Sequence, residues 1–393
     1  MSFKVLTLNN IALAGLERLP RDLYEVASEI GHPDAVMVRS ADMHKMDVPP
    51  SVKAVARAGA GVNNIPVEEL SKRGVPVFNA PGANANAVKE LVLAGMLLAA
   101  RNICEAWDYV RTLEGSEDEL HRAVESGKKR FVGFELPGRS LGVVGLGAIG
   151  VEVANAALAL GMQVIGYDPK ITVERAWQLN SGVRQAMSLD DLFSRAQMVT
   201  VHVPLSDGTR KLVSAERLAL MKPGGVILNF ARGPIVDEDA VLAALDSGKL
   251  SRYVCDFPSP ALKSHAKVIA LPHLGASTRE AEENCAVMVA EHLRDFLENG
   301  NIRHSVNFPE TMMPRTDGAR LAIANANVPN MVGQISTALA EAGLNIADLL
   351  NKSKGELAYT LVDVDGELPE SVIQRIGSIE GVLSFRVIPA ANA

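Results

Sequence analysis

The sequence predicts an α/β protein of two doubly wound parallel-sheet domains with a smaller ferredoxin-like domain at its C-terminal end. Three observations carry that expectation. Short apolar runs alternate with helical stretches in two successive series, the pattern of strands covered by helices in a parallel sheet. A Gly-x-Gly-x-x-Gly run at positions 145–150 opens the second series directly after a strand-like segment. Beyond residue 318 the pattern becomes strand, helix, two strands, helix, strand, which is the ferredoxin-like order. At 393 residues the chain is too long for one hydrophobic core, so two or three domains are expected.

In the first series, residues 1–8, 35–38, 52–56 and 75–78 read as strands and 66–73 as a helix. Residues 91–101 are almost wholly apolar, which suits a buried helix between domains better than a surface one. The second series offers six strands, at 141–145, 163–167, 198–203, 226–230, 253–256 and 268–271. These are short continuous Val/Ile/Leu runs, fit for burial on both faces. Helical patterns at 151–160 and 239–246 separate them. Residues 305–318, with Pro309, Pro314 and Gly318, read as a linker. After it come strands at 319–324, 345–352, 356–364 and 382–388, with helices at 331–342 and 369–376.

Composition narrows the function. A net charge of −7 leaves no basic footprint for nucleic acid or an anionic membrane, so an anionic substrate needs a local cluster of arginines. No apolar run reaches the roughly 18 residues of a membrane helix, and the first residues read as a strand rather than a signal peptide. Cys104, Cys255 and Cys285 have neither metal nor disulfide spacing. A cytoplasmic protein without a bound metal is expected.

The glycine run Gly145-Leu146-Gly147-Ala148-Ile149-Gly150 follows a strand and opens a helix. Gly145 permits a tight turn, Gly147 lets backbone approach a pyrophosphate, and Gly150 lets the helix, starting at Ala148 and Ile149, pack closely on its strand. The next strand ends at Asp168, 18 residues after Gly150. An acid there accepts hydrogen bonds from a ribose diol and repels a 2′-phosphate, which favours NAD over NADP.

Further along, Asn229-Phe230-Ala231-Arg232-Gly233-Pro234-Ile235-Val236-Asp237-Glu238 resembles the arginine signature of the D-isomer-specific 2-hydroxyacid dehydrogenases. Pro272-His273-Leu274-Gly275-Ala276-Ser277-Thr278 resembles that family's histidine signature. With Asn79-Ala80-Pro81-Gly82-Ala83-Asn84 and the C-terminal segment, the resemblance spans essentially the whole chain. It is strongest to short members with a C-terminal ACT domain, and so implies oxidation of 3-phospho-D-glycerate at the entry to serine synthesis. Also implied are a flavodoxin-like substrate domain (1–93 and 284–308), an inserted Rossmann NAD domain (94–283), an ACT domain (309–393), and an active site in the cleft between the first two. The cofactor pocket so implied takes in Ala80, the glycine run, Asp168, His202, Val203, Phe230, Ala231, Arg232, Asp256, His273 and Gly275. Alternatives are another D-2-hydroxyacid dehydrogenase, acting on glyoxylate, hydroxypyruvate or 2-oxoglutarate, or a non-catalytic NAD-binding regulator.

The chemistry assigns roles. Oxidising a 2-hydroxy acid removes a hydride from C2 and a proton from the hydroxyl. An arginine fork matches a carboxylate bidentately, which suits Arg232 to the substrate, the bland alternative being a loop ion pair with Asp237. His273 is the general acid/base, since histidine titrates near neutral pH. The family places a glutamate 29 residues after the arginine to orient that histidine, but here the position is Ala261. Asp256 matches the aspartate beside the nicotinamide and is not assigned the missing role. Arg39-Ser40 and Asn84 align with substrate-binding positions, and Arg57 is a second cation for a distal phosphate. Lys128-Lys129-Arg130 reads as a solvated face.

For the C-terminal domain the resemblance implies a homo-oligomer, dimer or tetramer, with an amino-acid effector such as L-serine held by Asn325, Asn327 and Asn345. Asn330 stands where many ACT domains have glycine.

Overall fold

The computed structural model describes residues 2–390. Met1, expected in the first strand, and residues 391–393, expected at the end of the third domain, lie outside the described residues. The chain divides into two compact units, Met1–Ala83 with Glu282–Ala393, and Asn84–Ala281.

The first unit contains a parallel sheet of β1 (Phe3–Leu8), β2 (Tyr24–Ala27), β3 (Ala35–Val38), β4 (Ala54–Arg57) and β5 (Val77–Phe78), in the order β2-β1-β3-β4-β5. This is the flavodoxin-like arrangement. All four side chains of β3 are buried, as its Ala-Val-Met-Val composition requires of a central strand. The strand expected at 52–56 starts two residues late, because Val52 closes a turn onto the Pro49 carbonyl. β2 is an edge strand with one fully buried residue, too weak a pattern to read from sequence.

The second unit holds seven parallel strands: β6 (Ser140–Val144), β7 (Gln163–Tyr167), β8 (Arg184–Gln185), β9 (Met198–Val201), β10 (Gly225–Asn229), β11 (Leu250–Cys255) and β12 (Val268–Ala270). Their order, β12-β11-β10-β9-β6-β7-β8, is the dinucleotide-fold order extended by one strand. The added strand is β12, whereas β8, which the sequence reading does not include, is two exposed polar residues and carries no apolar signal. The apolar helix expected at 91–101 spans Ala85–Arg101 and belongs wholly to this unit. Its Gly95 lies against Phe230, where an added Cβ would come within 2.9 Å of the ring.

The C-terminal strands β13 (Ala319–Ala326), β14 (Ile346–Lys354), β15 (Leu357–Val364) and β16 (Val382–Ile388) form an antiparallel sheet ordered β14-β15-β13-β16, the ferredoxin-like order. Alternation along β13 sorts the two faces. Leu321 and Ile323 pack with the helices Met331–Glu341 and Glu370–Gly377. Ala322 and Ala324 turn the other way, into one core with Met37, Phe78, Leu293 and Phe296. The sheet is therefore not set apart from the first unit.

Nor do residues 305–318 behave as a linker. Phe308, Thr311 and Met313 are buried, and Ile302 bridges to Thr311. Arg320 fastens this stretch from within the sheet. Its guanidinium, fully buried, donates to Asp363 through Nε (2.6 Å) and Nη2 (2.9 Å), and to the carbonyls of Asn299, Met313 and Pro314. That accounts for all five N–H donors of an arginine. Proline and glycine composition could not reveal this, because the anchoring residue is distant in sequence.

Candidate active site

Every strand of the second unit's sheet runs the same way, so the loops after β6, β7, β9, β10, β11 and β12 gather at one edge, where such sheets bind ligands. The glycine run occupies the loop after β6. Gly145 has φ +90°, and an added Cβ would meet the His202 carbonyl at 2.6 Å. Gly150 would strike the Gly145 carbonyl at 1.8 Å, so the helix Ala148–Ala159 closes onto the turn only with glycine there. At Gly147, the N-cap, an added Cβ meets nothing within 4 Å. That open space, beside the unpaired N–H groups of Ala148 and Ile149, fits a pyrophosphate.

Asp168 is tied to the same loop. Its Oδ2 accepts from the Leu146 N–H (2.9 Å) and its Oδ1 from the Lys170 N–H (2.8 Å). Each carboxylate oxygen keeps a lone pair for a ribose hydroxyl. His202 follows β9, with Nε2 2.9 Å from the Thr200 hydroxyl. Desolvation pushes its pKa down to about 4, so the ring is neutral at pH 7. Val203 borders Gly145 from the same loop.

After β10 the backbone turns under the control of Asn229, which is fully buried. Its amide nitrogen donates to the Arg232 carbonyl and its oxygen accepts from the Ala231 N–H. The pair fixes the exit that presents Arg232, whose backbone is extended and whose side chain is exposed. Asp237 is bonded to Lys211 at 3.1 Å, so the loop ion pair weighed for Arg232 is not what this acid makes.

Arg232 and His273 are 41 residues apart in sequence, and one ring brings them together. The Arg232 guanidinium lies 5.7 Å from the centre of Phe257, and the His273 ring packs on Phe257 at 4.5 Å. Neither Phe257 nor Asn229 was assigned a role from sequence. The available signals were an aromatic directly after Asp256 and an amide at a strand end.

Asp256, directly after β11, is 2% exposed, and neither carboxylate oxygen has a hydrogen-bond partner among the described residues. Burial raises its pKa to about 6, against the opposing pull of Arg232. Buried Gly275, from the loop of His273, sits where an added Cβ would be 3.9 Å from Asp256 Oδ2. Ala261 is exposed on the short helix Pro260–Ser264. The neighbouring acid is Glu238, bonded to the Ser259 hydroxyl at 2.5 Å.

Asn84 opens the helix Ala85–Arg101, with its side-chain oxygen buried and unpartnered. In the first unit, Ala80 is buried and bonded to Gly59. Arg39 Nη2 lies 2.5 Å from Glu282, Ser40 is exposed, and Arg57 Nε donates to the Arg39 carbonyl. Arg57 Nη1 lies 2.3 Å from where a Cβ on Gly59 would stand, so the guanidinium packs directly against that glycine.

The three asparagines expected to share an effector do not meet within one chain. Asn327 donates to Gly355 and Asn345 to Asp365, at opposite ends of β15. Its eight residues span roughly 23 Å. Asn325 is buried and bonded to Thr360 and Ala326. Asn330 takes φ +64°, the left-handed conformation that glycine and asparagine both tolerate.

Residues 93–275 match the family model for the NAD-binding domain of D-isomer-specific 2-hydroxyacid dehydrogenases. A D-3-phosphoglycerate dehydrogenase of Haemophilus influenzae is 34% identical over 356 residues, covering 87% of this chain and 83% of that one. The NAD+-bound 3-phosphoglycerate dehydrogenase of Entamoeba histolytica superposes with TM-score 0.61 at 27% identity, over 78% of this chain and 99% of that one. The holo D-mandelate dehydrogenase of Rhodotorula graminis gives 0.67 at 27%, over 80% and 100%.

Proposed function

The chain belongs to the D-isomer-specific 2-hydroxyacid dehydrogenases and is an NAD-dependent enzyme, and on that premise we propose that it oxidises 3-phospho-D-glycerate to 3-phosphohydroxypyruvate, the entry step of L-serine synthesis. The observation that carries the reading is Phe257, which holds a carboxylate-binding cation and an acid/base on one ring.

NAD, when bound by the glycine loop and Asp168, supplies the acceptor for the hydride that leaves C2. The protein's own groups do the rest. Arg232 grips the substrate carboxylate through its planar fork of donors. His273 takes the hydroxyl proton as the C2–O bond becomes a carbonyl, and returns it in the reverse direction. Asp256, poised near pH 6, can accept or donate a hydrogen bond at the cofactor's reactive end. We assign the distal phosphate to Arg39, Ser40 and Arg57. The asparagine positions support an oligomer, because a ligand touching both Asn327 and Asn345 needs two chains.

A substrate panel tests this. NADH consumption should be faster with 3-phosphohydroxypyruvate than with hydroxypyruvate, glyoxylate or 2-oxoglutarate. Better turnover on the unphosphorylated acids would reassign the substrate within the family.

A further inference from the structure

The first unit contains a cavity of about 260 Å³ between the C-terminal sheet and the segments around β4. That is room for roughly eight waters at ~30 Å³ each, or for one small metabolite. Its wall carries three cations, Lys53, Arg73 and Arg386, and no carboxylate. The Tyr359, Ser51 and Ser384 side chains add polar groups.

The cations are held in place largely by neutral partners. Arg73 donates to the carbonyls of Val48 (2.9 Å) and Pro49 (2.8 Å). Arg386 donates to Phe296 (2.6 Å) and Leu297 (3.4 Å), and its guanidinium lies 4.1 Å over the Phe296 ring. Lys53 has a carboxylate partner, Asp34 at 2.8 Å, which is not part of the wall. Both guanidinium groups thus face the cavity hydrogen-bonded to neutral partners, and among the described residues Asp34, outside the wall, is the one carboxylate that acts on Arg386 as well as on Lys53. Partly buried charge is costly unless paired, and an anion in the cavity would pair it.

Two side chains of the wall, Arg386 and Tyr359, join Arg320, which lies outside it, at the end of a helix. Arg386, Arg320 and Tyr359 all reach from the sheet to carbonyls at the C-terminal end of Arg279–Asn299, at Phe296, Leu297, Asn299 and Gly300. The Phe296 carbonyl also accepts the Gly300 N–H, the last bond of the helix, so the later carbonyls lie past its hydrogen-bonded turns, and positive charge there is favoured by the helix dipole. Fourteen residues earlier, about 21 Å along the axis, Glu282 on the same helix is bonded to Arg39.

We propose that this cavity is an effector site for a small dianion, a phosphate monoester or dicarboxylate of three to five carbons, and that its occupancy is transmitted along Arg279–Asn299 to Arg39. The binding half stands on the cavity alone. The transmission half rests on the role proposed for Arg39.

Isothermal titration of the full chain with glycerol 3-phosphate and with malonate tests the binding half without turnover. Tighter binding of glycerol 3-phosphate identifies a phosphate monoester, and the reverse order a dicarboxylate. Lys53→Gln, at a side chain 41% exposed, keeps the fold and should weaken binding about tenfold, the worth of one charge-assisted contact. Arg73→Gln should do the same. No binding at tens of millimolar, or binding unchanged in both variants, overturns the site. In rate assays the bound probe should shift KM for the phosphorylated substrate in the wild type and not in Lys53→Gln, whose turnover without probe is normal. Binding with an unchanged KM upholds the cavity and overturns the transmission.

Discussion

Two buried aspartates, Asp256 and Asp363, are treated in opposite ways. Asp363 sits in β15 of the C-terminal sheet with four hydrogen bonds, two from Arg320 and two from Thr316. Burial alone would raise its carboxyl, but the bonds from Arg320 and Thr316 outweigh that and hold it below the ordinary carboxylate range. Asp256 is as well buried and has no such bonds, so its carboxyl rises to about 6. A protein keeps a buried, unsatisfied acid only where something else repays it. The first aspartate joins the chain's segments. The second we assign to the proposed reaction.

The largest expected effect lies beside Asp256. His273→Gln should lower kcat by ~10²–10⁴ while leaving thermal stability unchanged, because the ring is exposed. Full turnover in that variant would remove His273 from the chemistry. Next comes the other region. Asp363→Ala leaves the Arg320 charge buried without its partner, and should cost about 3–5 kcal/mol in urea unfolding.

The pH dependence of stability sharpens the contrast. Asp256 has its folded pKa raised from 3.8 to about 6, so it binds more protons when folded, and its contribution to stability falls by up to ~3 kcal/mol as pH rises between those values. Asp363, with a lowered folded pKa, contributes stability that is lost as pH falls through that value, below 3.8. His202 and His292, both pushed down to about 4 by burial, lose stability on acidification in the window where Asp256 gains it. The difference between wild type and Asp256→Asn, measured from pH 4 to 7, therefore isolates Asp256. It should slope as stated, and a flat difference would mean that the carboxyl is not perturbed.

The smallest effect separates the cofactor loop from the fold. Gly147→Ala meets open space, so it should fold normally yet weaken NAD binding at least tenfold, ~1.4 kcal/mol, by filling the approach to the helix N-terminus. Unchanged affinity would place the pyrophosphate elsewhere.

Much of this was legible in the sequence, for physical reasons. Buried parallel strands need continuous Val/Ile runs, and Met198–Val201 and Gly225–Asn229 show them. Gly145 and Gly150 announce backbone that no side chain could occupy. Arg232 and His273 stand in recognisable signatures, but the ring joining them does not, because Phe257 acquires its role only when β11 and β12 lie side by side. Arg320, flanked by alanine and leucine, reads as an outward residue of a strand. Its burial depends on carbonyls from Asn299, Met313 and Pro314, brought in from outside the strand. The packing of residues 305–318 is hidden for the same reason.

The most direct test makes Asp256→Asn and Asp363→Asn side by side and measures melting temperature and NADH-linked turnover on both. The account predicts that Asp256→Asn keeps or raises the melting temperature and loses activity, while Asp363→Asn melts lower and, while folded, still turns over. An Asp256→Asn protein that melts lower with full activity would contradict it.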